Sequence, residues 1–158
     1  LPGWVFDDDD RRFMTEALAE AEAAASRGEV PVGAVVTQDG EIIARAGNRR
    51  REKSDPAAHA EVIALRAAGR ALGDWRLSAC TLYVTLEPCP MCAAACREAR
   101  LQLVVWGADD DRAGACGSVL DLANEPRLGP PLPCRGGLEA ERCRELLRSF
   151  FAKQRQSS

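Results

Sequence analysis

The sequence has no net positive charge and only one histidine in its 158 residues. Its 21 lysines and arginines against 24 aspartates and glutamates give a net charge of -3. A protein that binds nucleic acid over its whole surface would be basic, so any polyanion must be met by local patches. Two candidate patches exist: residues 42–53, with five basic residues against one acidic, and residues 139–158, with five against three.

Features of membrane and secreted proteins are also lacking. No apolar run approaches the length that spans a bilayer. Residues 7–10 are all aspartate, where a signal peptide would have a basic and then an apolar stretch. The seven cysteines cannot all pair, because seven is odd. Together these features predict a reducing, cytoplasmic setting, where clustered cysteines more often bind metal or catalyse than form disulfides.

The length and the hydrophobic pattern predict one domain, residues 1–158, with an α/β sandwich fold. Helices are predicted at residues 10–27 with Asp10 as N-cap, at 58–68 ended by Gly69, at 90–100, and near the C-terminus. Strands are predicted at residues 32–37, 41–46, 81–86 and 103–107. The proline-rich residues 129–134 are predicted to be an edge strand or coil, after a short helical turn near Leu120.

The last helix has apolar residues at helical spacing, which predicts a stripe that belongs to the core or to an interface. These residues are Cys143, Leu146, Leu147, Phe150 and Phe151. The cysteines outside the motifs are predicted to be small buried hydrophobic residues. They are Cys80, Cys96, Cys116, Cys134 and Cys143.

The single histidine belongs to a pattern that is typical of a metal site. His59 opens the segment HAEVI, and Cys89 and Cys92 lie downstream in EPCPMC. Each segment is at the predicted start of a helix, where the helix dipole favours thiolate over thiol. A lone histidine is more often a core residue, and C-x-x-C arises by chance in a cysteine-rich chain. The joint pattern nevertheless predicts zinc held by His59, Cys89 and Cys92.

Three protein ligands leave tetrahedral zinc with one open position, which is the arrangement of catalytic sites. A water in that position would have its pKa lowered to about 7. Glu61, two residues after His59, is placed to take a proton from this water and to pass it to a leaving group. These groups predict hydrolytic deamination of a nucleobase, in which ammonia leaves an aromatic ring.

The pattern H-x-E with P-C-x-x-C is the signature of the zinc nucleoside and nucleobase deaminases. The match extends over nearly the whole chain through EVPVGAVV, DPAAHAEVIALR, TLYVTLEPCPMCAAA, VVWGA, GACGS and LLRSFF. Together these segments resemble the bacterial tRNA-specific adenosine deaminases, within the zinc cytidine/deoxycytidylate deaminase superfamily. The resemblance implies a cytidine deaminase-like α/β fold, a three-layer α/β/α sandwich around a mixed five-stranded sheet.

The resemblance also implies an activity and a set of site residues. The activity would convert the wobble adenosine of an arginine tRNA anticodon to inosine in a homodimer with one zinc ion per subunit. Attack would occur at C6 of the base, with Glu61 as the catalytic proton shuttle. The implied or expected substrate contacts are Asn48, Arg49, Asp110, Phe150 and Phe151. Asn48 could instead only stabilise its loop, and Arg49 begins a basic run suited to phosphates beside a flipped base.

Three features depart from the bacterial enzymes: the polar segment CREARLQL, the acidic residues 109–111 and the proline-rich residues 129–133. They bear on RNA contact and dimer packing rather than on the metal site. One alternative is a deaminase of free guanine, cytosine or cytidine, which could have the same zinc motifs. A second is a zinc-stabilised binding module without catalysis, in which Cys96 or another side chain would be the fourth ligand.

Overall fold

The computed structural model describes residues 4–157, in which one mixed five-stranded sheet lies between two layers of helices. The strands are β1 (Gly33–Gln38), β2 (Glu41–Gly47), β3 (Cys80–Leu86), β4 (Leu103–Ala108) and β5 (Cys134–Arg135). Their order is β2-β1-β3-β4-β5. Strand β1 is antiparallel to both of its neighbours, whereas β3, β4 and β5 are parallel.

The helices are α1 (Asp8–Ser26), α2 (Arg50–Lys53), α3 (Ala60–Leu72), α4 (Pro90–Glu98) and α5 (Ala140–Ser157). Side chains along the central strands alternate between the two faces of the sheet. Val36, Leu82 and Val104 pack with α3 and α4 in the larger core cluster. The residues next to these along each strand point to the opposite face of the sheet. They belong to a second core cluster, together with residues of α1 and of the start of α5. The predicted three-layer α/β/α sandwich with a mixed five-stranded sheet is therefore confirmed.

Helix α1 approaches β1 very closely at Gly33. A Cβ atom there would lie 2.0 Å from the carbonyl oxygen of Ala17 and 2.4 Å from the backbone nitrogen of Ala21. Both alanines are fully buried. Their small side chains on the helix, and the absence of a side chain at Gly33 on the strand, allow the two backbones to come into contact. This contact holds one helix layer against the sheet.

Helix α1 begins earlier than the sequence predicts, because Asp7 rather than Asp10 is its N-cap. Asp7 accepts a hydrogen bond from the backbone of Asp10, and Asp10 accepts one from the backbone of Asp7, so the two form a capping box. The second carboxylate oxygen of Asp10 accepts a hydrogen bond of 2.7 Å from the hydroxyl of Tyr83 on β3. Asp10 therefore joins the helix start to the sheet.

Two other predicted helix ends differ from the structure. Helix α3 continues through Gly69 to Leu72 and ends at Gly73, whose φ of 67° is left-handed. The prediction that Gly69 ends the helix was therefore wrong. Helix α4 ends at Glu98, two residues before the prediction. The short helix α2 lies in a segment that the sequence pattern indicates only as a polar loop.

The proline-rich stretch is coil apart from its last residue. Only Cys134–Arg135 pair with β4, at the edge of the sheet, because prolines cannot donate ladder hydrogen bonds. The helical turn predicted near Leu120 is instead a 3-10 turn at Pro126–Leu128. Cys134 is partly exposed, whereas the other four cysteines outside the motifs are buried as predicted.

Buried Arg97 on α4 connects two of the features that depart from the bacterial enzymes. Its side chain is in the segment CREARLQL, and the residue is 9% exposed. The guanidinium donates hydrogen bonds to the carbonyl oxygens of Leu122, Ala123 and Gly129. Arg97 therefore joins α4 to residues 122–123 and to the start of the proline-rich stretch.

Helix α5 is core only at its start. Cys143 is 1% exposed, but Phe151 at the far end of the stripe is 42% exposed. The remaining members of the stripe are partly buried. None of the helices between residues 4 and 157 is both long and apolar enough to cross a bilayer.

Candidate metal centre and active site

The starts of two helices carry the candidate metal ligands. His59 is the N-cap of α3 and Cys89 is the N-cap of α4, and both have extended backbones, with φ of -74° and -73°. Pro90 is the first residue of α4, where a missing N–H costs no hydrogen bond. Because α3 and α4 cover the same face of the sheet, their first turns bring the three side chains together.

The geometry of this group fits a tetrahedral zinc ion. Nδ1 of His59 lies 3.7 Å from Sγ of Cys89 and 3.4 Å from Sγ of Cys92. All three ligand atoms lie within 4.8 Å of one another. Zinc bonds of about 2.0 Å to nitrogen and about 2.3 Å to sulfur, at a tetrahedral angle, separate the two atoms by about 3.5 Å. The observed separations lie on either side of this value, so the residues present fit zinc.

The two thiols of the group differ in acidity. Cys92 donates a hydrogen bond to Cys89, which lowers the pKa of Cys89 to about 4 and raises the pKa of Cys92. The hydrogen bond with Cys89 also raises the pKa of His59 above its ordinary value. One sulfur is therefore a thiolate at neutral pH, and binding of zinc would release the proton of the other.

Cys96 does not belong to the candidate metal group. Within residues 4–157, that group comprises His59, Cys89 and Cys92. Cys96 is fully buried in the larger core cluster, and burial raises the pKa of its thiol well above the ordinary value. The geometry therefore offers three protein donors, the number typical of catalytic zinc sites.

Glu61 lies in the first turn of α3 and is 4% exposed. Burial raises the pKa of its carboxyl group to about 7, and a hydrogen bond with Cys92 places it beside the metal group. Zinc at that position would lower this pKa again, because a nearby cation favours the carboxylate. A carboxyl group whose pKa is near neutral suits the uptake and release of a proton.

Asn48 follows β2 and is 6% exposed. Its Oδ1 accepts a hydrogen bond of 2.8 Å from the backbone of Ala60, which directly follows His59. Its backbone N–H donates to the carbonyl oxygen of Val32. These hydrogen bonds stabilise the loop, as one of the two interpretations of Asn48 expects. They leave its Nδ2 amide group available for other contacts.

The basic run after Asn48 forms α2, and a buried carboxylate holds the start of this helix. Glu29 is 2% exposed and accepts hydrogen bonds from the backbone nitrogens of Arg51 and Glu52, at 3.1 and 2.8 Å. Arg49 pairs with Glu52 at 2.6 Å. Glu29 is not among the residues predicted from the sequence, although an acid at the start of the apolar run EVPVGAVV is a signal for a buried and partnered carboxylate.

Asp110 shapes its own loop after β4. Its Oδ1 accepts hydrogen bonds from the backbone nitrogens of residues 112 and 113, at 3.0 and 3.2 Å. Its backbone N–H donates to Glu87 at 3.1 Å. The neighbouring Asp109 accepts a hydrogen bond from the indole of Trp106. Two of the three acidic residues are therefore used to form the loop.

The two phenylalanines of α5 have different environments. Phe151 lines a cavity of about 430 Å³ together with Arg112, Gln154 and Arg155, so it lies beside the loop that carries Asp110. Phe150 is partly buried and packs edge-on against Phe151, with ring centroids 5.4 Å apart. Of the two, only Phe151 faces that cavity.

Comparison with known families decides the class of protein. The family described as "Cytidine and deoxycytidylate deaminase zinc-binding region" matches residues 7–108, which include all three candidate ligands and Glu61. The chain belongs to this deaminase family. It is 45% identical over 146 residues to the "tRNA-specific adenosine deaminase" of Bacillus subtilis (strain 168), over 92% of this chain and 91% of the relative. The predicted zinc-binding deaminase family is thereby confirmed.

Solved structures of deaminases have the same fold as this chain. One, from work on A-to-I editing by tRNA:A34 deaminases at the wobble position of transfer RNA, has a TM-score of 0.84 and 46% identity. The match covers 86% of this chain and 99% of that one. A guanine deaminase from Nitrosomonas europaea has a TM-score of 0.77 and 26% identity, over 96% of this chain and 88% of that one. The cytidine deaminase-like fold expected from the sequence is therefore confirmed.

Proposed function

We propose that the protein is a zinc-dependent hydrolytic deaminase that converts adenosine to inosine at the wobble position of a tRNA anticodon. The observation that carries this proposal is the ligand group at tetrahedral zinc spacing, with the buried Glu61 beside it. The identity with the Bacillus subtilis relative supports tRNA as the substrate. The resemblance makes an arginine tRNA the expected one.

The residues of the group have separate roles in this reaction. Nδ1 of His59 and the sulfurs of Cys89 and Cys92 would hold zinc. When bound, zinc supplies a water whose lowered pKa makes it a nucleophile at neutral pH. Glu61 would take a proton from the attacking water and deliver it to the departing nitrogen, so that water would add at C6 and ammonia would leave. One water is consumed and one ammonia released for each inosine.

The RNA contacts are proposed at the loops around the centre. Nδ2 of Asn48 would meet the target nucleoside, and Arg49 a flanking phosphate. Asp110 would lie against the RNA, while Phe151, supported by Phe150, offers a ring on which a base can stack. An anticodon loop presents its bases at little unstacking cost, which suits a site that must take in one base.

We also propose that residues 1–158 are one deaminase domain that forms a homodimer in a reducing compartment such as the cytoplasm. Both sulfur ligands must stay reduced to bind zinc.

Between α3 and α4 lies a cavity of about 560 Å³ lined in part by Trp75, which is 57% exposed. A second copy would cover this apolar surface. Light scattering should give a dimer for the wild type and a smaller species for Trp75→Glu.

The guanine deaminase from Nitrosomonas europaea makes free guanine a second candidate substrate, because its structure matches 96% of this chain. The test supplies the purified zinc protein with an arginine tRNA anticodon stem-loop, free adenosine, guanine or cytidine, and measures ammonia and inosine. A stem-loop with guanosine at the wobble position is the matched control. We expect inosine from the adenosine stem-loop only. Reaction of free guanine or cytidine alone would disprove the tRNA assignment.

A further inference from the structure

A second acidic residue near the candidate centre, Glu87, is almost fully buried. Glu87 follows β3, precedes Cys89 by two residues and is 1% exposed. Its Oε1 accepts hydrogen bonds from the backbone nitrogen of Asp110, at 3.1 Å, and from the hydroxyl of Ser118. Its Oε2 accepts from the backbone nitrogens of Cys116 and Ser118, at 3.0 and 3.1 Å. All four donors belong to one loop, residues 109–118.

These donors, rather than a cation, compensate the charge of Glu87. The ion pairs found within residues 4–157 do not include it. A buried carboxylate without a counterion is costly unless its oxygens are hydrogen-bonded, so the loop and the carboxylate depend on each other. Gly114 shows how closely they pack, because a Cβ there would lie 2.5 Å from the carboxyl group.

Backbone hydrogen bonds extend this connection to the turn that carries Cys89. The N–H of Glu87 donates to the carbonyl oxygen of Ala108 at 2.9 Å. The N–H of Ala115 donates to the carbonyl oxygen of Pro88 at 2.8 Å. Since Pro88 directly precedes Cys89, the loop has a defined position relative to the candidate zinc ligand.

We propose that Glu87 is a positioning residue for substrate recognition, which holds the loop of residues 109–118, and with it Asp110 and Arg112, in place against the RNA. The inference rests on the proposed function, because RNA is what this loop would meet. Glu87 donates or accepts no proton in the reaction and holds no metal. Its removal should therefore weaken binding of the RNA and leave the chemical step nearly unchanged.

Glutamine at this position separates the charge from the shape of the side chain. In Glu87→Gln one oxygen becomes an amide NH2 that faces N–H donors, so two of the four donors lose their acceptor. Hydrogen bonds to a charged group contribute a large free energy. Their loss should therefore raise the KM for the stem-loop about tenfold or more. Ser118→Ala removes only the hydroxyl donor and should raise KM by a smaller factor.

The experiment measures kcat, KM and zinc content for the wild type, Glu87→Gln and Ser118→Ala on the anticodon stem-loop. Both variants should keep their zinc and a kcat within about threefold of the wild type, since an altered KM alone indicates lost binding rather than lost chemistry. Arg97→Met is the matched control. It removes a buried charge with three hydrogen bonds to the neighbouring segment, and its KM should stay within about twofold of the wild type.

Loss of zinc, a fall in kcat at unchanged KM, unchanged kinetics, or an equal rise of KM in Arg97→Met would overturn the inference. If Glu87→Gln does not fold, Ser118→Ala decides: a raised KM at the wild-type melting temperature supports the inference, and an unchanged KM refutes it. A wild type inactive on RNA would refute the proposed function and this inference with it. An active wild type with an unchanged KM in the folded variants refutes the inference alone.

Discussion

Replacement of Glu61 by glutamine should abolish deamination while zinc stays bound. The residue is 4% exposed, and glutamine has nearly the same volume, so the substitution leaves no cavity. The amide cannot take up or release a proton at neutral pH. General acid–base catalysis contributes about 10²- to 10⁴-fold, so kcat should fall by this factor, which corresponds to about 3–5 kcal/mol in activation free energy.

The assay for this variant is single-turnover formation of inosine on the stem-loop, together with metal analysis. Glu61 is not part of the ligand group, so we expect one zinc per chain in Glu61→Gln. Cys89→Ser is the contrasting variant and should lose both zinc and turnover. A Glu61→Gln protein that keeps more than about a tenth of wild-type kcat would show that the proton moves by another route, against the expected loss.

The remaining predictions concern stability and the substrate loop. Gly33→Ala should lower the free energy of unfolding in urea by about 3 kcal/mol, because its Cβ would lie 2.0 Å from a carbonyl oxygen of α1. Gly69→Ala should raise it by about 0.5–1 kcal/mol, because Gly69 lies inside α3 and an added Cβ would be 3.4 Å from its nearest neighbour, the carbonyl oxygen of Asp74. Asp7→Ala should lower it by about 1 kcal/mol through loss of the cap. Asn48→Ala should raise KM for the stem-loop at least about tenfold and lower the melting temperature; an unchanged KM would remove its proposed contact.

The motif residues made the metal group predictable because zinc chemistry depends on residue type and local spacing. C-x-x-C at a helix start presents two sulfurs on one turn, and the H-x-E segment adds nitrogen and carboxylate from another. The hydrophobic pattern likewise predicted β1, β2, β3 and β4, and the two strands β1 and β3 inside the sheet are buried along most of their length, as a sheet covered on both faces requires. None of these features needs information from distant parts of the chain.

The predictions that failed concern positions where a distant contact outweighs a local preference. Glycine is typical of helix ends, but Gly69 lies inside α3 and the chain turns only at Gly73. Asp10 is a reasonable N-cap by composition, yet its bonds to Asp7 and to Tyr83 on β3 place it within the first turn. Arg97 could not be recognised as buried, because its acceptors lie in a loop more than 20 residues away.

The amino-acid sequence by itself determined the class of fold, the donor set for zinc and the acid beside it, because periodicity and ligand chemistry are local properties. Only the tertiary structure decided that Nδ1 of His59 and the two sulfurs lie at zinc spacing, and that Cys96 is excluded from the group. It also decided that Glu29 and Glu87 hold the two loops beside the centre. Apart from the hydroxyl of Ser118, their partners are backbone N–H groups far along the chain. Every residue except proline carries such a group, so no residue type marks these partners in advance.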